Sequence, residues 1–177
     1  MDGYLLDTNV IVTLLRPNHR DGPNVRRRLA QVPSDSPVYI SAAALCELQV
    51  GPILGKKNAD EARREIDSTI TQEGFMIRDV TKKTAVVYGD LKARLMLKYN
   101  RRTQKNIAKW PERWTLPDTG ALLGIDEFDL LMVAHAIECR LVLVTNDEMP
   151  RIREGLGDVA GELQIEDWTE ESQKLGE

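Results

Sequence analysis

The chain has 177 residues, a formal net charge of −4, and 42% hydrophobic and 29% charged residues. This is the composition of an ordinary soluble protein, and it argues against a disordered or fibrous chain. The length fits a single domain, 1–177, that buries a sizeable core. No run approaches the roughly 18 apolar residues of a membrane helix, and Asp2 and Asp7 interrupt the N-terminal segment where a signal sequence needs an apolar core. We therefore expect one cytoplasmic domain with no membrane association.

Strand-like and helical segments alternate along the chain. Strands are predicted at 3–6, 37–40, 75–80, 141–144 and 163–165. Helices are predicted at 24–32, 42–48 (with Ser41 as N-cap), 59–73, 82–99 and 127–139. Strands that alternate with helices favour a parallel sheet covered on both faces. We therefore predict an α/β fold, a three-layer α/β/α sandwich with a central parallel sheet.

The cysteines and histidines indicate neither a disulfide framework nor a zinc site. Cys46 and Cys139 lie in apolar helical patterns, which predicts reduced and buried thiols. We interpret His19 and His135 as having no Cys or His partner at metal-ligand spacing, so no zinc ion is expected.

Three aspartates are predicted to meet at one edge of the sheet. Asp7 directly follows the first strand, Asp147 follows closely on 141–144, and Asp129 opens the helix that leads into that later strand. Ligands of parallel α/β folds bind at the carboxyl ends of the strands. The alternative for each acid is a role at a helix end, since Asp is a favoured N-cap and acids in a first turn are stabilised by the helix dipole.

Glu47 stands inside a predicted helix with no basic residue beside it. Its neighbours three and four positions away are Ala43, Ala44, Val50 and Gly51. A carboxylate on such a face is costly to bury unless a cation compensates it, and the alternative is that this edge of the helix faces water. Four clustered carboxylates raise one another's pKa unless a metal ion keeps them ionised. Mg²⁺ prefers such oxygen ligands, and it activates water for attack on phosphorus.

Three motifs carry a resemblance to a known family. They are LLDTNVIVTLL at the start, SAAALCELQVG in the second predicted helix, and DLLMVAHAIECRLVLVTND near the end. With these motifs, in this order, the chain resembles a PIN-domain nuclease, and specifically a VapC-type toxin of a type II toxin–antitoxin pair. The resemblance implies a compact α/β/α domain and an endoribonuclease that depends on Mg²⁺ or Mn²⁺. It also implies a homodimer that a small VapB-like antitoxin holds inactive.

The resemblance also implies roles for individual residues. It assigns catalysis to an acidic quartet, Asp7, Glu47, Asp129 and Asp147. The metal would be held chiefly by Asp7 and Asp129, with Asp126 as the alternative third acid. The polar motif positions are Thr8, Asn9 and Thr145, and Thr145 is expected to place water or phosphate.

The segment at about 100–120 departs from the family pattern as an atypical insertion. The stretch 98–113 holds six basic residues against one acid. We predict that Arg101, Arg102 and Lys105 contact RNA, with Trp110 or Trp114 stacking on a base. The alternatives are tryptophans that pack on the core, or a surface for a dimer or antitoxin. The run Arg26-Arg27-Arg28 carries the same ambiguity.

Other functions fit part of this pattern. A PIN-type nuclease for RNA processing, or one that acts on DNA, needs no toxin role. A non-catalytic binding module would use the acids only as helix caps. An aspartyl-phosphate phosphatase of the haloacid-dehalogenase type is disfavoured, because it wants a second acid two residues after the first and position 9 is Asn.

Overall fold

Five short parallel strands form one sheet in the order β3-β2-β1-β4-β5. The computed structural model describes residues 2–54, 58–99 and 109–170. The strands are β1 (Tyr4–Leu6), β2 (Val38–Ser41), β3 (Met76–Arg78), β4 (Val142–Val144) and β5 (Gln164–Glu166). The central strand β1 is covered on both faces, which is why Leu5 and Leu6 are apolar and fully buried. The predicted parallel sheet is confirmed, although β3 ends before the predicted limit.

Helices cover the two faces of this sheet, as the predicted sandwich requires. They are α1 (Thr8–Leu15), α2 (Gly22–Gln31), α3 (Ala42–Leu54), α4 (Ala59–Gln72), α5 (Lys82–Tyr99), α6 (Glu127–Cys139) and α7 (Pro150–Leu156), with 3-10 turns at Pro111–Arg113 and Gly157–Glu162. The α3 helix continues past the predicted end at 48, and its added turn buries Pro52. Within the described residues, none of the helices combines the length and apolar character needed to cross a membrane.

The order of the strands places a crevice beside the end of β1. The chain runs from β1 outward to β2 and β3, and it returns later to the other side of β1 as β4. Leu6 is therefore in register with Ile40 on one side and with Val144 on the other. Ligands of open α/β sheets bind at such a switch point. Asp7 is fixed there, because its backbone N–H donates to the carbonyl of Val144 at 2.9 Å.

The burial of the two cysteines differs. Cys139 is buried at the end of α6, as predicted. Cys46 is exposed, so the prediction of two buried thiols was wrong for this residue. Its helix, α3, buries Ala43, Ala44 and Leu48, whereas the side chain of Cys46 is turned to solvent. The apolar pattern of α3 extends around the whole helix, and it therefore did not show which side would be covered.

Candidate active site

Asp7 serves both as a helix cap and as a member of the acidic cluster. It is 6% exposed and is the N-cap of α1, with Oδ1 accepting from the backbone N–H of Thr8 at 2.7 Å. Its Oδ2 accepts from Thr145 Oγ1 at 2.7 Å and from Asn9 Nδ2 at 3.1 Å. Burial raises the pKa of Asp7, and the hydrogen bonds from Thr145 and Thr8 oppose that rise.

Thr145 positions Asp7. Its side chain is 1% exposed, and its hydroxyl donates to Asp7 while accepting from Asn9 Nδ2 at 2.9 Å and from the backbone N–H of Asp147 at 3.1 Å. A hydroxyl offers one donor and two lone pairs, so these three bonds use its full capacity. The geometry therefore favours a positioning role over the expected direct contact with water or phosphate.

Glu47 is joined to the same site through Thr8. The hydroxyl of Thr8 donates to Glu47 Oε2 at 2.5 Å, which connects the first turn of α1 to the middle of α3. The Glu47 side chain is half-buried. Burial raises its pKa, the bond from Thr8 lowers it, and repulsion from Asp7 and Asp126 raises it further. The structure thus places Glu47 within electrostatic reach of Asp7.

The sequence left Asp126 and Asp129 as alternatives for the third acid of the cluster, and the structure gives them different roles. Asp126 is exposed and is the N-cap of α6, with Oδ1 accepting from the backbone N–H of Phe128 at 2.7 Å. Asp129 is half-buried in the first turn of the same helix. Burial first, and then repulsion from Asp7 and other nearby acids, raises the pKa of Asp129 to about 7. Because Asp126 supplies the cap, Asp129 is free to face the cluster.

Asp147 lies at the rim of the site. It is exposed, and its Oδ1 accepts from the backbone N–H of Met149 at 3.0 Å. Its charge nevertheless raises the pKa of both Asp7 and Asp129. All four predicted acids therefore interact at one edge of the sheet.

The donor set of this site fits a hard divalent cation. Between described residues, no Lys, Arg or His forms an ion pair with any of the four acids. The side-chain Oδ1 of Asn9 is buried beside Asp7, and no atom in the described part of the chain forms a hydrogen bond with it. No three of these four acids bring their carboxylate oxygens within 4.8 Å of one another, so a shared ion would have to draw them together. Uncompensated carboxylates and a spare amide oxygen are the ligands that Mg²⁺ or Mn²⁺ prefers.

A groove of about 730 Å³ adjoins the acids at Thr8 and Glu47 and lies between α1, α3 and α4. Its apolar lining includes Val12, Leu15, Leu48, Pro52 and Ile66. Arg16, His19 and Arg20 line the same groove. The groove therefore combines an apolar wall with basic and acidic side chains.

The basic insertion is described only in its second half. Arg101, Arg102 and Lys105 lie outside the described residues. Trp114 is 1% exposed and packs into the core, so it is unavailable for stacking. Trp110 is 48% exposed, and the Nζ atoms of two lysines, Lys92 and Lys109, lie 5.8 and 4.9 Å from the centroid of its ring.

The arginines of α2 bind other parts of the chain. Arg26 donates to the carbonyl of Leu14 at 3.0 Å, and Arg28 forms an ion pair with Glu166 at 2.9 Å. These bonds join α2 to α1 and β5. The structure therefore favours an architectural role for this arginine run over contact with RNA.

The sequence of residues 4–154 matches the PIN domain family. The chain belongs to this family. PIN domains are nucleases, as the three motifs indicated. No curated protein matches the sequence significantly.

Solved structures similar to this PIN domain include several toxin–antitoxin complexes. VapBC2 from Rickettsia felis, bound to a promoter DNA fragment, is 26% identical with a TM-score of 0.65, over 93% of this chain and 98% of that chain. DNA-bound VapBC from Salmonella typhimurium is 20% identical with a TM-score of 0.62, over 95% of this chain and 99% of that chain. VapBC-1 from nontypeable Haemophilus influenzae is 22% identical with a TM-score of 0.61, over 94% of this chain and 98% of that chain. The resemblance to VapC-type PIN toxins is thereby confirmed in family and fold.

Sequence reasoning did not assign the bridging role of Asn9. Its amide donates to both Asp7 and Thr145, which tightens the site between the ends of β1 and β4. The signal for this role is the spacing, because a residue two positions after a helix-capping acid lies in the first turn beside that acid.

Proposed function

We propose that this PIN domain is a metal-dependent endoribonuclease and the toxin of a toxin–antitoxin pair. The observation that carries the proposal is the cluster of Asp7, Glu47 and Asp129 at the switch point of the sheet. The pKa of each is raised, and no described base compensates them. Such a cluster is costly in isolation and becomes favourable around a divalent cation.

In this proposal Asp7 and Asp129 hold Mg²⁺ or Mn²⁺. Glu47 and Asp147 add negative charge around the ion. The metal supplies Lewis-acid chemistry, lowering the pKa of a bound water and stabilising charge on the phosphate. Thr145 and Asn9 hold the Asp7 carboxylate in one orientation. A fixed carboxylate needs no reorganisation at the moment of reaction, which is the advantage of a preorganised site.

RNA is proposed as the substrate from the family resemblance, and the surface near α6 supports a single-stranded nucleic acid. Glu112 Oε1 accepts from the backbone N–H of Glu127 at 3.0 Å, so the described part of the insertion is attached to the helix that carries Asp129. Beside it, Trp110 offers a half-exposed ring with the ammonium group of Lys109 next to it, while Lys92 on the same ring is ion-paired with Glu127 at 2.8 Å. An aromatic face next to cations is the usual way to bind an unpaired base and its phosphate.

A small VapB-like antitoxin is proposed as the partner, and a homodimer as the assembly. The similar structures from Rickettsia felis and Salmonella typhimurium are VapBC complexes bound to DNA. The groove beside Thr8 and Glu47 has an apolar wall that suits an amphipathic segment. Because Glu47 lines this groove, a partner bound in it would block the acidic site.

The activity is tested with purified protein, Mg²⁺ or Mn²⁺, and an RNA and a DNA strand of the same sequence. Metal-dependent cleavage of RNA is expected, and Asp7→Asn and Asp129→Asn should each abolish it while the far-UV spectrum stays unchanged. Asp35→Asn is the matched control, because Asp35 is exposed and distant in sequence from the cluster. Preferential cleavage of the DNA strand would favour the alternative PIN nuclease. Undiminished turnover by Asp7→Asn would overturn the proposed site.

The toxin role needs a separate test. Expression of the chain in a bacterium should arrest growth, and co-expression of the small protein encoded beside it should restore growth. Asp7→Asn should remove the arrest. Full RNA cleavage without any effect on growth would leave an RNA-processing nuclease as the function.

A further inference from the structure

A second cluster of ligand-type side chains lies at the C-terminal end of α6. One ring nitrogen of His135, a carboxylate oxygen of Glu138 and Cys139 Sγ all lie within 4.8 Å of one another. Positions i, i+3 and i+4 share one face of a helix, which explains their convergence. The expectation that His135 has no Cys at metal-ligand spacing was therefore wrong. This cluster is separate from the acids, since Asp129 precedes His135 by six residues, about 9 Å along the helix axis.

His135 is the nitrogen ligand of this cluster, and it is fully buried. The residue is 0% exposed, and its Nδ1 lies 3.0 Å from Ser41 Oγ, which also accepts from the backbone N–H of Ala43 at 3.1 Å. Its Nε2 is buried and finds no hydrogen-bond partner among the described residues. Leaving a buried polar atom unpaired destabilises the fold, and a ligand at that atom removes the penalty. With Nδ1–H donating to Ser41, Nε2 carries a lone pair, which is the usual arrangement of a metal-binding histidine.

Cys139 and Glu138 supply the other two metal ligands, and Arg78 lies beside Cys139. Arg78 Nε donates to Cys139 Sγ at 2.9 Å, and its guanidinium lies over the ring of Tyr39, 4.9 Å from the centroid. Burial and the bond to Glu138 raise the pKa of the Cys139 thiol to about 11, and Arg78 opposes that rise, so the sulfur keeps its proton until a metal ion displaces it. Glu138 Oε2 accepts from Cys139 Sγ at 2.8 Å. The thiol proton of Cys139 therefore lies between the sulfur and the Glu138 carboxylate. A bound metal ion would replace this proton.

We propose that His135, Glu138 and Cys139 form a binding site for a borderline-soft divalent metal ion, of which Zn²⁺ is the representative. A neutral imidazole, a carboxylate and a thiolate give the nitrogen, oxygen and sulfur donors that zinc prefers, whereas Mg²⁺ prefers oxygen alone. The two anionic ligands balance the charge of the ion. Binding displaces the thiol proton to solvent and links the end of α6 to β2 through Ser41 and to β3 through Arg78. The site is independent of the proposed nuclease activity.

Co²⁺ titration of the metal-free full chain tests this site, because a cobalt–thiolate bond gives a charge-transfer band in the near ultraviolet. One equivalent of Co²⁺ should produce the band, and Zn²⁺ should abolish it by displacement. Cys139→Ala should remove the band, whereas Cys46→Ala should keep it, since Cys46 is the other and exposed thiol. Asp129→Asn should also keep it, which distinguishes this site from the acidic one.

Glu138→Gln provides a second variant if Cys139→Ala fails to fold. It keeps the thiol and the shape of the side chain, and it should weaken Zn²⁺ binding at least tenfold in competition with a chromophoric chelator. Absence of the cobalt–thiolate band in the unmodified chain would overturn the proposal. A band that persists in folded Cys139→Ala, or Zn²⁺ binding unchanged in Glu138→Gln, would overturn it as well.

Discussion

Asp7 shows that a helix-capping role and a metal-binding role need not compete. One of its oxygens, Oδ1, caps α1 and keeps a lone pair for a metal ion, while the other, Oδ2, accepts from both Thr145 and Asn9. The residue type and its place after a strand were readable from the sequence. Its hydrogen bond with Thr145 was not, because it joins positions 138 residues apart.

At Asp129 the structure predicts an unusual dependence of stability on pH in the metal-free protein. Its pKa rises from 3.8 to about 7, so the folded protein binds this proton more tightly than the unfolded chain does. The resulting stability is fully present below pH 3.8 and is lost as the pH rises through about 7. Asp129→Asn should therefore melt at a higher temperature than the unmodified chain above pH 7, and the difference should shrink toward pH 5. Melting curves with EDTA measure it.

Asp35→Asn is the control for this measurement, because Asp35 is exposed. Its melting temperature should follow that of the unmodified chain at every pH. An Asp129→Asn advantage that is equal at pH 5 and pH 8 would contradict the raised pKa.

Thr145 offers a test of positioning as opposed to direct catalysis. Thr145→Val removes the bonds to Asp7, Asn9 and Asp147 while keeping the shape, and it should lower the rate of metal-dependent cleavage by about 10- to 100-fold. Thr145→Ser keeps the hydroxyl and should recover most of the rate. Because the loss acts through Asp7, extra Mn²⁺ should restore part of the Thr145→Val activity. Equal rates for the valine and serine variants would refute this role.

At the level of elements, periodicity predicted the helices that have one buried face and located the strands to within a few residues. The end of α3 was missed, because its apolar residues continue around the helix and its Pro52 suggests a stop. The short α7 was missed because its seven residues are too few for a period to appear. The start of α6 at Glu127 was predicted correctly, and this start makes Asp126 the N-cap and places Asp129 in the first turn.

The described end of the insertion gives a prediction for the proposed RNA site. Trp110→Ala should weaken binding of single-stranded RNA by about 1–3 kcal/mol, roughly 5- to 150-fold, if one base stacks on this ring. Leu122→Ala is the control, since Leu122 is an exposed apolar residue of the same region. Binding is measured with Ca²⁺ in place of Mg²⁺, under conditions that prevent cleavage. Equal affinities of the two variants would exclude Trp110 from the RNA path.

For the molecule as a whole, the proposed function assigns partner binding to the groove and catalysis to the acids beside it, so the two can be tested separately. Gly51 lines this groove, and a Cβ at this helical position meets no atom within 4 Å. Gly51→Leu should therefore fold normally, fill the groove, and weaken the complex with the small partner at least tenfold. RNA cleavage by the free protein should stay unchanged. Both affinity and cleavage rate are measured on the purified variant.

Gly89→Leu is the matched control, because Gly89 is also a helical glycine whose Cβ meets no atom within 4 Å, and it lies on α5. Its affinity for the partner should equal that of the unmodified chain. A Gly51→Leu variant that binds the partner normally would place the antitoxin on another surface.

The bond from the Asp7 amide to Val144 has a consequence for how such an enzyme is controlled. It extends the pairing of the two innermost strands into the site, so the Asp7 amide should exchange with deuterium only when the whole domain unfolds. Amides near Trp110 and Gly51 should exchange by local opening long before that. A site that opens only on global unfolding is always assembled, so in the proposed toxin the activity is controlled by a partner that covers the site. Hydrogen–deuterium exchange tests this in the free protein and in its complex. The partner should slow exchange around the groove, while the exchange rates of the amides at the centre of the sheet stay unchanged.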